Sequence, residues 1–115
     1  MEDCIFCKIS RGEVPTDKIA ESDNFIVIND ANPVSEGHCL IIPKRHYATI
    51  FDLQKELGSE LIGVAQDQGE RLMDEGLADG VKLINNNFEA SGQLVNHFHL
   101  HIIPEKKGVT REKHV

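Results

Sequence analysis

The sequence predicts an α+β fold: an antiparallel β-sheet with one main amphipathic helix. Three observations lead there. Short apolar runs rich in β-branched residues are closed off by turn formers, one longer stretch has helical periodicity, and a late segment alternates residue by residue. The first run, Phe25-Ile26-Val27-Ile28, ends at the turn-like stretch Asn29 to Pro33 and reads as a strand. The second, Cys39-Leu40-Ile41-Ile42, ends at Pro43, and Pro33 and Gly37 between the two suit a hairpin loop. From Leu53 to about Glu75, Leu57, Leu61, Val64, Ala65, Gln68 and Leu72 recur at helical spacing, with Glu60, Gln66, Asp67, Glu70 and Arg71 on the other side. Gly58 weakens the beginning, so a late start near Gly58-Ser59 fits the pattern, and Gly76 suits the end. Val81 to Ile84 reads as a third strand, followed by a polar loop from Asn85 to Gln93. Val95 to Ile103 reads as the last strand, which Pro104 is expected to stop.

No repeat, linker or low-complexity tract divides the chain. Residues 1–115 therefore read as a single domain, with a core over about 3–104 and a charged surface tail over 105–115. With 40% hydrophobic and 27% charged residues, the composition is that of a globular domain, and it excludes disordered, collagen-like and disulfide-dense chains. The net charge of -7 argues against nucleic acid as a partner. No apolar run approaches the ~20 residues that cross a bilayer, which argues against a membrane span. The acidic start Met1-Glu2-Asp3-Cys4 is unlike a secretory signal, and the odd set Cys4, Cys7 and Cys39 suits thiols in a reducing compartment. A cytoplasmic location is the expectation.

The alternating segment carries the chemistry. A strand places His97, His99 and His101 on one face, about 6–7 Å apart, and Phe98, Leu100 and Ile102 on the other. A face covered only for stability would favour apolar residues. Two functional readings of the row remain. A His-x-His pair can bind zinc with a ligand from elsewhere. Alternatively, a neutral imidazole can attack phosphorus, with its neighbours orienting it and neutralising phosphate charge. Just upstream, Gly92 lets the backbone approach a phosphate closely, Gln93 offers an amide donor and acceptor, and Asn85-Asn86-Asn87 adds neutral polar groups. No carboxylate lies within the row, which suits a site for an anion.

With these residues in view, the chain resembles the histidine triad family, in its Hint-type purine nucleotide-binding branch. His97-Phe98-His99-Leu100-His101-Ile102-Ile103 resembles the alternating signature of that family, with the prefix Gly92-Gln93-x-Val95 before it. His38 with Cys39-Leu40-Ile41-Ile42-Pro43-Lys44-Arg45-His46, and Asp3-x-Ile5-Phe6-x-Lys8-Ile9, are similar in the same register, so the likeness spans roughly residues 3 to 104. It implies binding of an AMP- or GMP-like purine nucleotide and cleavage at the α-phosphorus through a nucleotidyl-histidine intermediate. His99 takes the place of the nucleophile, His101 contacts phosphate and assists proton placement, His97 orients the site, and His38 supports the triad. Asp30 falls where ribose hydroxyls are held, Phe6, Ile9 and Ile28 where the base is sandwiched, and Asn86, Gly92 and Gln93 where phosphate and leaving group are contacted. Leu94 stands where the pattern usually has a hydroxyl residue, so a leaving-group hydrogen bond from that position is lost. The resemblance also implies a homodimer, with Val81 to Ile84 as a candidate joining edge.

Cys4-Ile5-Phe6-Cys7 is a Cys-x-x-Cys pair. As a redox motif it lacks the preceding strand, and as two plain thiols it needs no partner. A closed structural zinc site needs two further ligands. The resemblance supplies them as His46 and His97, giving a structural zinc on Cys4, Cys7, His46 and His97, with no organic cofactor. The leading reading is a purine nucleoside phosphoramidase. The alternatives are a dinucleoside polyphosphate hydrolase, a nucleotide-binding module with little turnover, and a hydrolase using the histidine row as zinc ligands.

Overall fold

The computed structural model describes residues 4–109. Met1 to Asp3 and the end of the expected tail, 110–115, including His114, lie outside the described residues. In chain order the elements are α1 (Ile5–Ser10), β1 (Lys18–Glu21), β2 (Phe25–Asn29), β3 (Cys39–Pro43), α2 (Gly58–Asp74), β4 (Gly80–Ile84) and β5 (Leu100–Glu105). Single 3₁₀ turns lie at Lys55–Leu57 and Glu89–Ser91. The strands form one antiparallel sheet in the order β1-β2-β3-β5-β4. No helix among the described residues is long and apolar enough to cross a membrane.

The continuous apolar runs of β2 and β3 follow from burial on both faces. On one face Phe25, Val27, Cys39, Ile41 and Ile102 pack with Leu72 of α2 and Ala78. On the other, Ile26, Ile28, Leu40 and Ile42 pack with Phe6 and Ile9 of α1. The expected helix begins at Gly58 and ends at Asp74, after a 3₁₀ turn at Lys55–Leu57. Cys39 lies in the core beneath α2, where burial pushes its thiol up to about 11.

The last strand differs from the expectation. β5 begins only at Leu100 and runs through Pro104 to Glu105. Before it the chain bends over 95–97 and has no strand partner, and Phe98 N–H instead donates to the Tyr47 carbonyl. Pro104 is tolerated for a geometric reason. The β3–β5 ladder ends at the Cys39–Ile102 pair, so beyond it β5 has only β4 beside it. The Pro104 carbonyl accepts a hydrogen bond from Ser35 Oγ at 2.7 Å. In extended backbone the N and O of one residue point to the same side, so the missing N–H also faces away from β4. The start of the expected tail is tied down: Lys107 N–H donates to Asp79 Oδ2 at 2.7 Å.

Candidate active site

Helix α1 and the loop 85–95 close over one face of the sheet and leave a cleft of about 520 Å³. Its apolar wall includes Phe6, Ile9, Ile28 and Leu40; Asp30, Asn86, Gly92, His99 and His101 supply its polar groups. The cleft thus gathers Phe6, Ile9, Ile28, Asp30, Asn86, Gly92, His99 and His101 from the sequence-predicted residues. His38 and His97 lie behind it, at 3% and 0% exposure. Gln93 is turned inward. Its Oε1 accepts from Phe88 N–H at 2.6 Å, and its Nε2 donates to the carbonyls of Ala48 and Val95.

The three asparagines divide their work. Asn85 Nδ2 donates to the His99 carbonyl at 3.1 Å, and Asn87 Oδ1 accepts from Ile50 N–H at 2.8 Å. Those two brace the loop, and Asn86 between them faces the cleft.

Hydrogen bonds fix where each imidazole carries its proton. His99 Nδ1 lies 2.8 Å from the His97 carbonyl, which can only accept. Nδ1 of His99 is therefore the protonated nitrogen, and the Nε2 lone pair is free. Phe6 and His101 hold the ring edge-on at centroid distances of 5.2 and 5.1 Å. Val34 N–H donates to His38 Nδ1 at 3.0 Å, so the His38 proton sits on Nε2 and reaches His101 Nδ1 at 2.9 Å. His101 in turn keeps its proton on Nε2. Burial first, then the neighbouring His99 and His38, holds the His101 pKa below the usual histidine value, so the ring is neutral at pH 7. The Asp30 carboxylate lies 3.4 Å from His38 Nε2 and 3.7 Å from His101 Nδ1.

The same bookkeeping of protons separates two clusters that could be taken for metal sites. Asp30, His38 and His101 bring their ligand atoms within 4.8 Å of one another. Yet the Val34 amide occupies the Nδ1 lone pair of His38, which leaves Nε2 as a donor rather than a ligand. That trio is a hydrogen-bonded relay. The atoms of Cys4, Cys7, His46 and His97 also gather within 4.8 Å. Here His97 Nε2–H donates to the Pro43 carbonyl at 2.9 Å, which turns the Nδ1 lone pair toward the thiols. His97 Nδ1 lies 3.3 Å from Cys4 Sγ and 3.5 Å from Cys7 Sγ, and His46 Nδ1 lies 3.2 Å from Cys7 Sγ. Zinc bonds of about 2.3 Å to sulfur and 2.0–2.1 Å to nitrogen, in a tetrahedron, separate such atoms by about 3.5 Å. The donor set fits zinc. Burial drives the His97 pKa down to about 4, which leaves the neutral ring that coordination requires. Burial, with Cys4 beside it, raises the Cys7 pKa, and a bound cation would reverse that.

Sequence reasoning did not reach Val34, Pro43 or Tyr47, whose backbone groups set the histidines. A backbone donor or acceptor leaves no mark in residue type. Ile5 and Leu94 also line the cleft; the sequence marked Ile5 only as part of the N-terminal motif and Leu94 only as standing where a hydroxyl residue is usual.

An antiparallel α+β sheet with a histidine row beside a half-apolar cleft defines a histidine triad domain. The HIT domain matches residues 11–108, and the chain belongs to that family. Adenylylsulfatase HINT3 of Arabidopsis thaliana is 40% identical over 91% of this chain, which spans about half (53%) of that protein. Adenosine 5'-monophosphoramidase HNT1 of Candida albicans is 35% identical over 93% of this chain and 73% of its own length. The crystal structure of a Zn-bound histidine triad family protein from Mycobacterium smegmatis superposes with a TM-score of 0.87 at 34% identity, covering 93% of this chain and 78% of that one.

Proposed function

We propose that this protein is a purine nucleoside phosphoramidase, a hydrolase that releases the mononucleotide from a P–N bond through a nucleotidyl-histidine on His99. The observation that carries this reading is the tautomer of His99. Its Nδ1–H is held by the His97 carbonyl, so the Nε2 lone pair is the reactive atom in a cleft that also holds Asn86, Gly92 and His101. Relatives named as an adenosine 5'-monophosphoramidase and an adenylylsulfatase support action on an adenylyl phosphorus.

In the first step His99 Nε2 attacks the α-phosphorus. The negative charge of the bound phosphate brings His101 to the imidazolium form. The P–N bond breaks, its electron pair goes to the amine, and the amine takes the Nε2 proton of His101, which returns to the neutral ring. The Asp30 carboxylate, 3.7 Å from His101 Nδ1, favours that charge, and His38 Nε2 lies 2.9 Å from the same nitrogen. In the second step water attacks phosphorus, gives a proton back to His101, and frees His99 with the mononucleotide. Asp30 accepts the ribose hydroxyls, and Phe6, Ile9 and Ile28 hold the base. Zinc on Cys4, Cys7, His46 and His97 supplies structural anchoring, because four protein ligands leave no position for a reacting water. The reduced thiols that it requires fit a cytoplasmic location. Mass spectrometry of enzyme quenched during turnover of adenosine 5'-phosphoramidate is expected to show an adenylyl group on His99. An unmodified His99 under burst conditions would reduce the protein to a nucleotide-binding module.

Asp30→Ala is expected to weaken AMP binding about tenfold and to weaken 2'-deoxy-AMP binding clearly less, because a charge-assisted hydrogen bond is worth about 1.5–3 kcal/mol. Titration calorimetry with both nucleotides checks this; equal losses would remove Asp30 from the ribose site.

The homodimer belongs to the same proposal. β4 is an edge strand with Leu83 and Ile84 exposed, and beside it Ile62, Met73 and Val81 border an apolar depression of about 450 Å³ against α2. Light scattering is expected to give two chains for the wild type and one for Leu83→Glu. A wild-type monomer at micromolar concentration would remove the dimer.

A further inference from the structure

Among the described residues, Phe88 is the one non-glycine at positive φ, with φ 73° and ψ 158°. That backbone conformation favours glycine, and a side chain there is strained. Phe88 is nevertheless the hub of the loop that closes the cleft. Its N–H donates to Gln93 Oε1 at 2.6 Å, and its carbonyl accepts from Ser91 N–H at 3.1 Å and from Gln93 N–H at 3.2 Å. Asn86 and Gly92, on either side of the hub, line the cleft. A glycine could make the same backbone bonds without strain, so the ring calls for an account of its own. Burial does not give one, because Phe88 is 58% exposed.

The ring stacks on Phe51, at a centroid distance of 5.9 Å and an interplanar angle of 20°. Phe51 belongs to a turn held by short bonds. Asp52 accepts from Ala48 N–H at 3.0 Å and from Thr49 N–H at 2.8 Å, and Phe51 N–H donates to Thr49 Oγ1 at 3.1 Å. The same turn meets the loop twice more. Ile50 N–H donates to Asn87 Oδ1, and Gln93 Nε2 donates to the Ala48 carbonyl. The bonds around Phe88 close the loop on itself, whereas these three ties fix where it sits. Neither Phe51 nor Phe88 lines the cleft, so the pair can act on a ligand only through the loop.

We propose that the Phe51–Phe88 stack is a clasp that holds the loop to this turn and so positions Asn86 and Gly92 against the phosphate. Both rings are positioning residues, and the inference rests on the reading in which Asn86 and Gly92 contact that phosphate.

The experiment measures AMP and adenosine affinities by calorimetry, and kcat and KM for adenosine 5'-phosphoramidate. It uses wild type, Phe51→Ala, Phe88→Ala, the double variant and Phe51→Tyr. Phe51→Ala and Phe88→Ala are each expected to weaken AMP about fivefold and to leave adenosine within about twofold, because only the phosphate contacts are misplaced. Their kcat is expected to fall about tenfold, since small displacements at the reacting centre are costly. The double variant should lose no more than the larger single loss, because either change opens the same clasp. Phe51→Tyr keeps the stack and should keep the affinity for AMP. No AMP-specific loss in Phe51→Ala, equal losses for AMP and adenosine, or additive losses in the double variant would overturn the clasp. A wild type that binds AMP but hydrolyses no phosphoramidate would overturn the phosphoramidase reading, and the two affinities would still decide the clasp. A wild type that binds AMP no tighter than adenosine would overturn both the phosphate contacts and the clasp.

Discussion

His99→Asn is expected to lower kcat at least a thousandfold while leaving AMP affinity within about threefold. The asymmetry follows from where the interactions lie. Covalent catalysis needs the Nε2 lone pair, and an amide side chain offers no comparable nucleophile. A thousandfold loss corresponds to about 4 kcal/mol of transition-state stabilisation. On the proposed reading, binding draws on other groups that line the cleft: Phe6, Ile9 and Ile28 for the base, Asp30 for the ribose, Asn86 and Gly92 for the phosphate. Asparagine is the right replacement because its Nδ2–H can keep the bond to the His97 carbonyl that His99 Nδ1–H now makes. Single-turnover kinetics with adenosine 5'-phosphoramidate, paired with AMP calorimetry, separates the two effects. Retention of more than a few per cent of wild-type kcat would remove His99 as nucleophile. A comparable loss of AMP affinity would mean that the substitution had collapsed the cleft.

The residues at the centre of this site were legible because their chemistry is written in residue type. His99 and His101 alternate with apolar residues, and Cys4 and Cys7 stand three apart, which puts both on one side of α1. The central strands were equally plain, since β2 and β3 are buried on both faces and read as unbroken apolar runs. Helix α1 was missed: six residues give too short a window for periodicity, and its apolar residues were read only as parts of motifs. β1 was missed because Lys18-Ile19-Ala20-Glu21 is a four-residue edge with charged ends. The last strand was placed too early because His97 and His99 keep the period of two without strand partners. The chain bends over 95–97, and alternation in the sequence reports neither that bend nor the pairing. The tautomers were beyond the sequence altogether. They depend on Val34 and Pro43 backbone groups brought against the rings by the fold.

Removing zinc is expected to lower the melting temperature by about 10 °C or more and to reduce activity only as the fold loosens. The four ligands come from three places in the chain: Cys4 and Cys7 from the start of α1, His46 from the loop after β3, and His97 from the segment leading into β5. A metal there ties α1, one wall of the cleft, to the segment that carries His99. Free zinc at a thousand times its dissociation constant would stabilise the native state by about 4 kcal/mol. In a domain of this size each kcal/mol moves the melting temperature by about 4–8 °C. Elemental analysis of protein purified without chelator is expected to give one zinc per chain, and thermal unfolding with and without chelator then gives the shift. Cys4→Ser combined with Cys7→Ser should lose the metal and reproduce the chelator effect, whereas Cys39→Ser should keep the metal because Cys39 lies in the core under α2. The order of loss is the decisive readout. Stability should fall first and kcat later, because His97 would hold the metal through Nδ1, which faces Cys4, while its carbonyl accepts from His99. Immediate loss of activity on chelation, with an unchanged melting temperature, would instead make the metal part of the chemistry.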